Sequence, residues 1–141
     1  MRFVDTNVLL YAVSREPAER AKTQRANELL AARDLGLSVQ VLQEFYVQAT
    51  RSNRPDALTH EQAFGLVETF MRFPVLETNR ELVRAAMTAR QSHHLSYRDA
   101  AIIEAARALG CDVVLSEDLS TELDYAGIRI ENPFAGQSLS D

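Results

Sequence analysis

RFVDTNVLLYA, residues 2–12, sets an acid between two apolar runs: Phe3-Val4 before Asp5, and Val8-Leu9-Leu10 after Asn7. A short apolar run that passes straight into a second, helix-forming stretch (Val8 to Val13) reads as a buried strand handing over to a helix. A buried carboxylate is costly unless it is paired, hydrogen-bonded or bound to a metal. Asp5 is therefore the first residue whose compensation needs explaining.

The pattern continues outward from there. Ala18 to Ala32 reads as a polar, Arg-rich amphipathic helix ended by Gly36. LSV (37–39) reads as a strand and QVLQEFYVQATR (40–51) as the helix after it. Thr59-His-Glu-Gln62 is a capping-box sequence opening a helix that reaches about Phe73. PVLE (74–77) is the next strand, Arg80 to Ser92 a helix, and Tyr97 to Leu109 an apolar helix stopped by Gly110. DVVLS (112–116) and IRIE (128–131) complete the strands. Alternating strands and helices predict an α/β fold, its short central parallel sheet flanked by helices on both faces. In such sheets the working site lies beyond the carboxyl ends of the strands.

The chain has 141 residues, 46% hydrophobic and 25% charged, which is the composition of an ordinary globular protein and reads as one domain, 1–141. Val8 to Val13 is too short for a membrane span or a secretory signal, so no membrane is expected. The single cysteine, Cys111, excludes an intrachain disulfide and fits a cytoplasmic location. A net charge of −5 argues at first against nucleic acid. Two features offset it. All basic residues except Lys22 are arginine, the side chain suited to bidentate phosphate contact, and gathering four carboxylates into a metal site leaves the remaining surface close to neutral.

Four acids are predicted to share that edge of the sheet. Asp5 ends the first strand, Glu44 lies in the helix after LSV, Asp99 is in the first turn of YRDAAIIEAARALG, and Asp118 follows DVVLS directly. Each has a plainer role available: an Asx turn for Asp5, a capping box with Ser96 for Asp99, and solvated positions for Glu44 and Asp118. Together they suggest a hard-oxygen site for Mg²⁺ or Mn²⁺, which would activate water for attack at phosphorus.

At the same residues the sequence resembles the PIN-domain ribonucleases, and within them the VapC-type toxins of toxin–antitoxin modules. FVDTNVLLYA, LSVQVLQEFYVQATR, LSYRDAAIIEAARALGCDVVLSEDLS and IRIENPF carry the resemblance in family order. It implies a three-layer α/β fold, a Mg²⁺-dependent endoribonuclease in which Mn²⁺ substitutes, an RNA substrate, a cognate antitoxin and a homodimer. Asp5, Glu44, Asp99 and Asp118 match the family carboxylates. Thr6 and Ser116 match small hydroxyl positions that would orient them, and Asn7 matches a polar position. One departure is visible: Tyr97 is separated from Asp99 by Arg98, where many relatives carry a Phe-Trp pair. Arg51, Arg54 and Arg98 are candidates for steering RNA phosphates toward the pocket.

Other chemistries have less support. His93 and His94 are adjacent and cannot form an i, i+4 ligand pair. Phosphatases of the haloacid-dehalogenase type and phospho-accepting receivers also place Asp after a strand, but need a lysine near the sheet edge, and Lys22 is expected in the helix after the first strand. A catalytically silent RNA- or protein-binding module of the same fold is the remaining alternative.

Overall fold

Three residues, Arg2–Val4, make β1, and helix α1 (Thr6–Ala12) starts two residues later, with Asp5 as its N-cap. The computed structural model describes residues 1–121 and 124–136; residues 122–123 and 137–141 lie outside the described residues. After a 3-10 turn (Pro17–Glu19) come α2 (Arg20–Leu30), β2 (Leu35–Ser38), α3 (Val39–Ala49), α4 (His60–Phe70) and β3 (Val75–Leu76). They are followed by α5 (Arg80–His93), α6 (Tyr97–Ala108), β4 (Val113–Leu115), β5 (Asp124–Tyr125) and β6 (Ile128–Glu131).

Among the described residues the sheet has six strands in the order β3-β2-β1-β4-β6-β5. The pairings are parallel except that β5 runs antiparallel to β6. That hairpin strand of two residues is too short to leave a pattern in the sequence. The chain adds β2 and β3 on one side of β1, then crosses to β4 on the other. The order therefore reverses between β1 and β4, which is where α/β sheets open a crevice. Val4 pairs with Leu115, so Asp5 and Ser116 leave the sheet at the same level. The ladder runs one residue further: Asp5 N–H donates to the Leu115 carbonyl at 3.0 Å.

Helices cover both faces. α1 packs on α2 and α3, and α3 on α4; α5 packs on α6, which lies against β2, β4 and β6. β1 and β4 carry buried side chains on both sides (Phe3, Val4, Val113, Val114 and Leu115), as a strand between two helical layers must. α6 has buried residues around most of its circumference, Ala100 to Ile103, Ala105 and Ala106. It ends in a Schellman motif, with Cys111 N–H on the Ala106 carbonyl, Gly110 N–H on the Arg107 carbonyl and Gly110 at φ +85°.

Three sequence expectations need correction. The strand is not LSV (37–39) but Leu35–Ser38, and Val39 already opens α3 behind its Ser38 cap. Gly36 does not end α2, which stops at Leu30; it lies inside β2 opposite Phe3. A Cβ there would stand 2.5 Å from Leu109 Cδ2 and 2.9 Å from Met1 Sδ, so glycine is what lets the end of α6 approach the strand. The helix after the capping box ends at Phe70 rather than Phe73, although the box is formed, Thr59 and Gln62 each bonding the other's backbone.

Phe45, fully buried beside Glu44, meets Phe70 edge-on at 5.2 Å and ties α3 to α4. Phe45→Ala is expected to cost about 3–5 kcal/mol in a denaturant-unfolding measurement. A loss below 1 kcal/mol would contradict this packing.

Candidate functional site

The end of β1 places Asp5 in the crevice with 0% of its surface exposed, and the fold compensates it on every side. Its Oδ1 accepts from Thr6 N–H at 2.7 Å and from Arg98 Nη2 at 2.7 Å. Its Oδ2 accepts from the Ser116 hydroxyl at 2.8 Å and from Arg98 Nη1 at 3.4 Å. Ser116 is itself buried at the end of β4, so the two central strands hold this bond between them.

Glu44 arrives from the middle of α3, which Ser38 caps by accepting from Val41 N–H. Glu44 Oε1 accepts from the Thr6 hydroxyl at 2.9 Å and from Arg98 Nη2 at 2.9 Å, and its Oε2 accepts from Arg98 Nε at 2.9 Å. Asp99 stands in the first turn of α6, where Ser96 accepts from its N–H, and its Oδ1 accepts from Arg98 Nη1 at 3.1 Å. Three of the four sequence-predicted acids thus converge on a single guanidinium.

Arg98, a candidate for steering RNA phosphates, is drawn into the cluster. Its side chain is 32% exposed and turned in among the acids. Burial alone would lower its pKa, but the hydrogen bonds and charges of Glu44 and Asp5 outweigh that and raise it. One positive charge against three negative ones leaves the cluster anionic overall.

Asp118 stands one step away. Its Oδ2 accepts from Asn7 Nδ2 at 3.2 Å, and its N–H donates to Ser116 Oγ. Asn7 Nδ2 also donates to Ser116 Oγ at 3.2 Å, and its Oδ1 accepts from Glu117 N–H at 3.1 Å. Asn7 therefore ties the loop after β4 to the start of α1. Burial, then the negative charge of Asp5, raises the Asp118 pKa above the ordinary carboxylate value, against the opposing pull of the Asn7 bond.

A cleft of about 240 Å³ opens on this cluster, with Thr6, Asn7, Gln48, Arg54, Arg98 and Asp118 among its walls. Arg54 Nε is paired with Asp56 at 2.9 Å, and Arg51 is exposed on the turn after α3. His93 packs edge-on against Tyr125 rather than into the cleft.

Sequence reasoning missed a second group along the same wall. Tyr11 OH donates to Glu117 at 2.6 Å, and Lys22 Nζ donates to Glu117 at 2.6 Å and to Tyr11 OH at 3.3 Å. Lys22 lies in α2, the helix expected for it, and its side chain reaches the residue after Ser116. Nothing in local spacing links positions 11, 22 and 117. The adjacency of Glu117 to Asp118 was the one available signal.

The donor chemistry fits Mg²⁺ or Mn²⁺: hard carboxylate oxygens from separate segments, held by hydroxyl and amide donors behind them. The spacing is another matter. Among the described residues, no three His, Cys, Asp or Glu side chains are grouped closely enough, as they stand, to hold one metal ion.

Against known proteins, the PIN-domain family model matches residues 2–122, and the chain belongs to that family. No curated protein matches the sequence. Solved structures share the fold. FitAB bound to a DNA fragment is 18% identical with a TM-score of 0.70, covering 95% of this chain and 96% of that one. A toxin–antitoxin complex from Klebsiella pneumoniae is 18% identical with a TM-score of 0.69, covering 94% and 98%. VapC20 of Mycobacterium tuberculosis, a Sarcin-Ricin loop cleaving toxin, is 21% identical with a TM-score of 0.66, covering 84% and 90%.

A carboxyl whose pKa is raised by folding binds its proton more readily folded than unfolded, so its contribution to stability falls as pH rises through the raised value. Ionised Asp118 is then a cost at neutral pH. In EDTA, Asp118→Asn is expected to melt above the parent at pH 7, with the gain shrinking as the pH falls toward ~4. An equal or lower melting temperature at pH 7 would contradict the assigned environment.

Proposed function

For a PIN-domain chain with this cluster, we propose a Mg²⁺- or Mn²⁺-dependent endoribonuclease acting as the toxin of a toxin–antitoxin system. The observation that carries the reading is the convergence of Asp5, Glu44 and Asp99, from three separate segments, at the crevice between β1 and β4, with Asp118 at its rim. No role as a mere cap or surface charge accounts for all of these at one place.

In this reading Asp5, Glu44 and Asp99 would hold the cation, and Asp118 would complete the site from the rim. When bound, a divalent cation lowers the pKa of water and neutralises charge developing on a phosphodiester. The chain's own part is orientation. The Ser116 hydroxyl fixes Asp5 Oδ2, the Thr6 hydroxyl fixes Glu44 Oε1, and Asn7 holds the Asp118 loop. Such outer partners fix the direction in which each carboxylate presents its remaining lone pairs. Buried Asp5, anchored through the backbone of both central strands, is the least movable of the set. Cleavage by water leaves a 5′-phosphate and a 3′-hydroxyl.

The antitoxin is proposed on two grounds. The structural neighbours include toxin–antitoxin complexes. An apolar groove of about 470 Å³ between α3 and α4, with Val47, Phe64 and Met71 exposed along it, supports a protein partner for this chain. An RNA substrate, a homodimer and a cytoplasmic setting belong to the same reading. Arg98 favours the alternative, a catalytically silent RNA- or protein-binding module, because a guanidinium already neutralises part of the cluster.

Incubation with RNA in Mn²⁺ separates the two. Cleavage with 5′-phosphate ends, abolished by EDTA, is expected. Asp99→Asn should lower the rate by more than the roughly 10–100-fold that loss of an outer partner costs, at an unchanged melting temperature. RNA bound but uncut by the parent, with binding indifferent to Mn²⁺, would establish the silent module instead.

A further inference from the structure

We propose that Arg98 is an internal counter-cation of the carboxylate cup, which a divalent metal has to expel, so that metal entry and Arg98 release are one exchange. The inference rests on the nuclease reading of the cup and adds a control to it.

The donors of the guanidinium supply the first argument. Nε, Nη1 and Nη2 are spent on Glu44, Asp5 and Asp99, and Nη2 bridges Asp5 Oδ1 and Glu44 Oε1 at 2.7 and 2.9 Å. Those N–H groups point into the space the three carboxylates share. A proton aimed at a carboxylate lone pair and a metal ion seeking the same lone pair repel, so the two cations compete for one position.

Spacing supplies the second. A planar guanidinium is larger than the Mg²⁺ ion, whose oxygen ligands stand at about 2.0–2.1 Å. The acids as they stand do not close on a metal-sized point. They are spaced for the larger cation now between them.

Freedom to leave is the third. The Arg98 side chain is part-exposed and lines the cleft, so rotation of its own torsions carries it toward solvent while α6 stays capped by Ser96. Asp5 has no such freedom, being fully buried with Thr6 N–H and Ser116 behind it. At low divalent-cation concentration the site is then held closed by its own side chain, and it opens above a threshold set by the competition.

The test is a calorimetric Mn²⁺ titration of the full chain, its Arg98→Gln variant and its Asp5→Asn variant, after EDTA treatment and dialysis. Arg98→Gln is expected to bind Mn²⁺ at least about tenfold more tightly than the parent, a difference of about 1.4 kcal/mol. It should also melt lower than the parent in EDTA, because three carboxylates then lack their cation, and regain that loss in Mn²⁺. If the parent binds Mn²⁺ saturably and Asp5→Asn does not, while Arg98→Gln binds no more tightly than the parent, the exchange is wrong and the nuclease reading stands. If neither parent nor Arg98→Gln binds Mn²⁺, the metal site itself is wrong and both fall. Should Arg98→Gln fail to fold, the side-chain Nε–H resonance of Arg98 in the ¹⁵N-labelled parent takes its place. It is expected to move and lose its Glu44 partner as Mg²⁺ saturates the site, and an unmoved resonance at saturation overturns the proposal.

Discussion

Asp5 is an anion with no exposed surface at the point where the strand order of the sheet reverses. An isolated carboxylate there would cost several kcal/mol, and much of the surrounding architecture answers that cost. β4 brings Ser116 to one of its oxygens, α1 offers the Thr6 N–H to the other, and α6 delivers a guanidinium to both. Glu44 and Asp99 share the guanidinium and complete the cluster. Unsatisfied, Asp5 would not be tolerated between Phe3-Val4 and the first turn of α1; satisfied in this way, it pins strand, helix and loop to one another.

The same constraint explains why this edge of the sheet is the chemical one. α1 and α6 both begin there, and a helix start favours nearby anions, with Asp5 capping α1 and Asp99 in the first turn of α6. Parallel strands leave the sheet at this edge, so loops and helix starts accumulate on it. What sets the cluster apart from ordinary caps is Glu44, which comes from mid-helix and has no capping duty. Its place against Thr6 and Arg98 is a purely tertiary outcome.

Much of the layout was legible because the code for it is local. The Thr59–Gln62 box, Ser96 as a cap and Gly110 as a left-handed stop each act over fewer than a helical turn or two, and each is found where its sequence put it. Gly36 was misread for the converse reason. A glycine after a helical pattern resembles a stop, whereas here its missing side chain admits Leu109 from a distant helix. β5 escaped notice because two residues carry no period. The four acids could be placed at one edge by topology alone, but the partner that joins three of them could not. Arg98 beside Asp99 looks like a surface charge until the 93 residues separating it from Asp5 are folded back. Lys22 and Glu117, 95 residues apart, were missed on the same account.

Central to all of this is the claim that the pocket now bridged by Arg98 is a divalent-cation site. Diffraction at the manganese absorption edge from crystals grown or soaked in MnCl₂ tests it most directly. An anomalous peak among Asp5, Glu44 and Asp99, with the Arg98 guanidinium withdrawn into the cleft, is the predicted result. A crystal that carries manganese elsewhere on its surface, yet shows no peak there and an unmoved guanidinium, would contradict it.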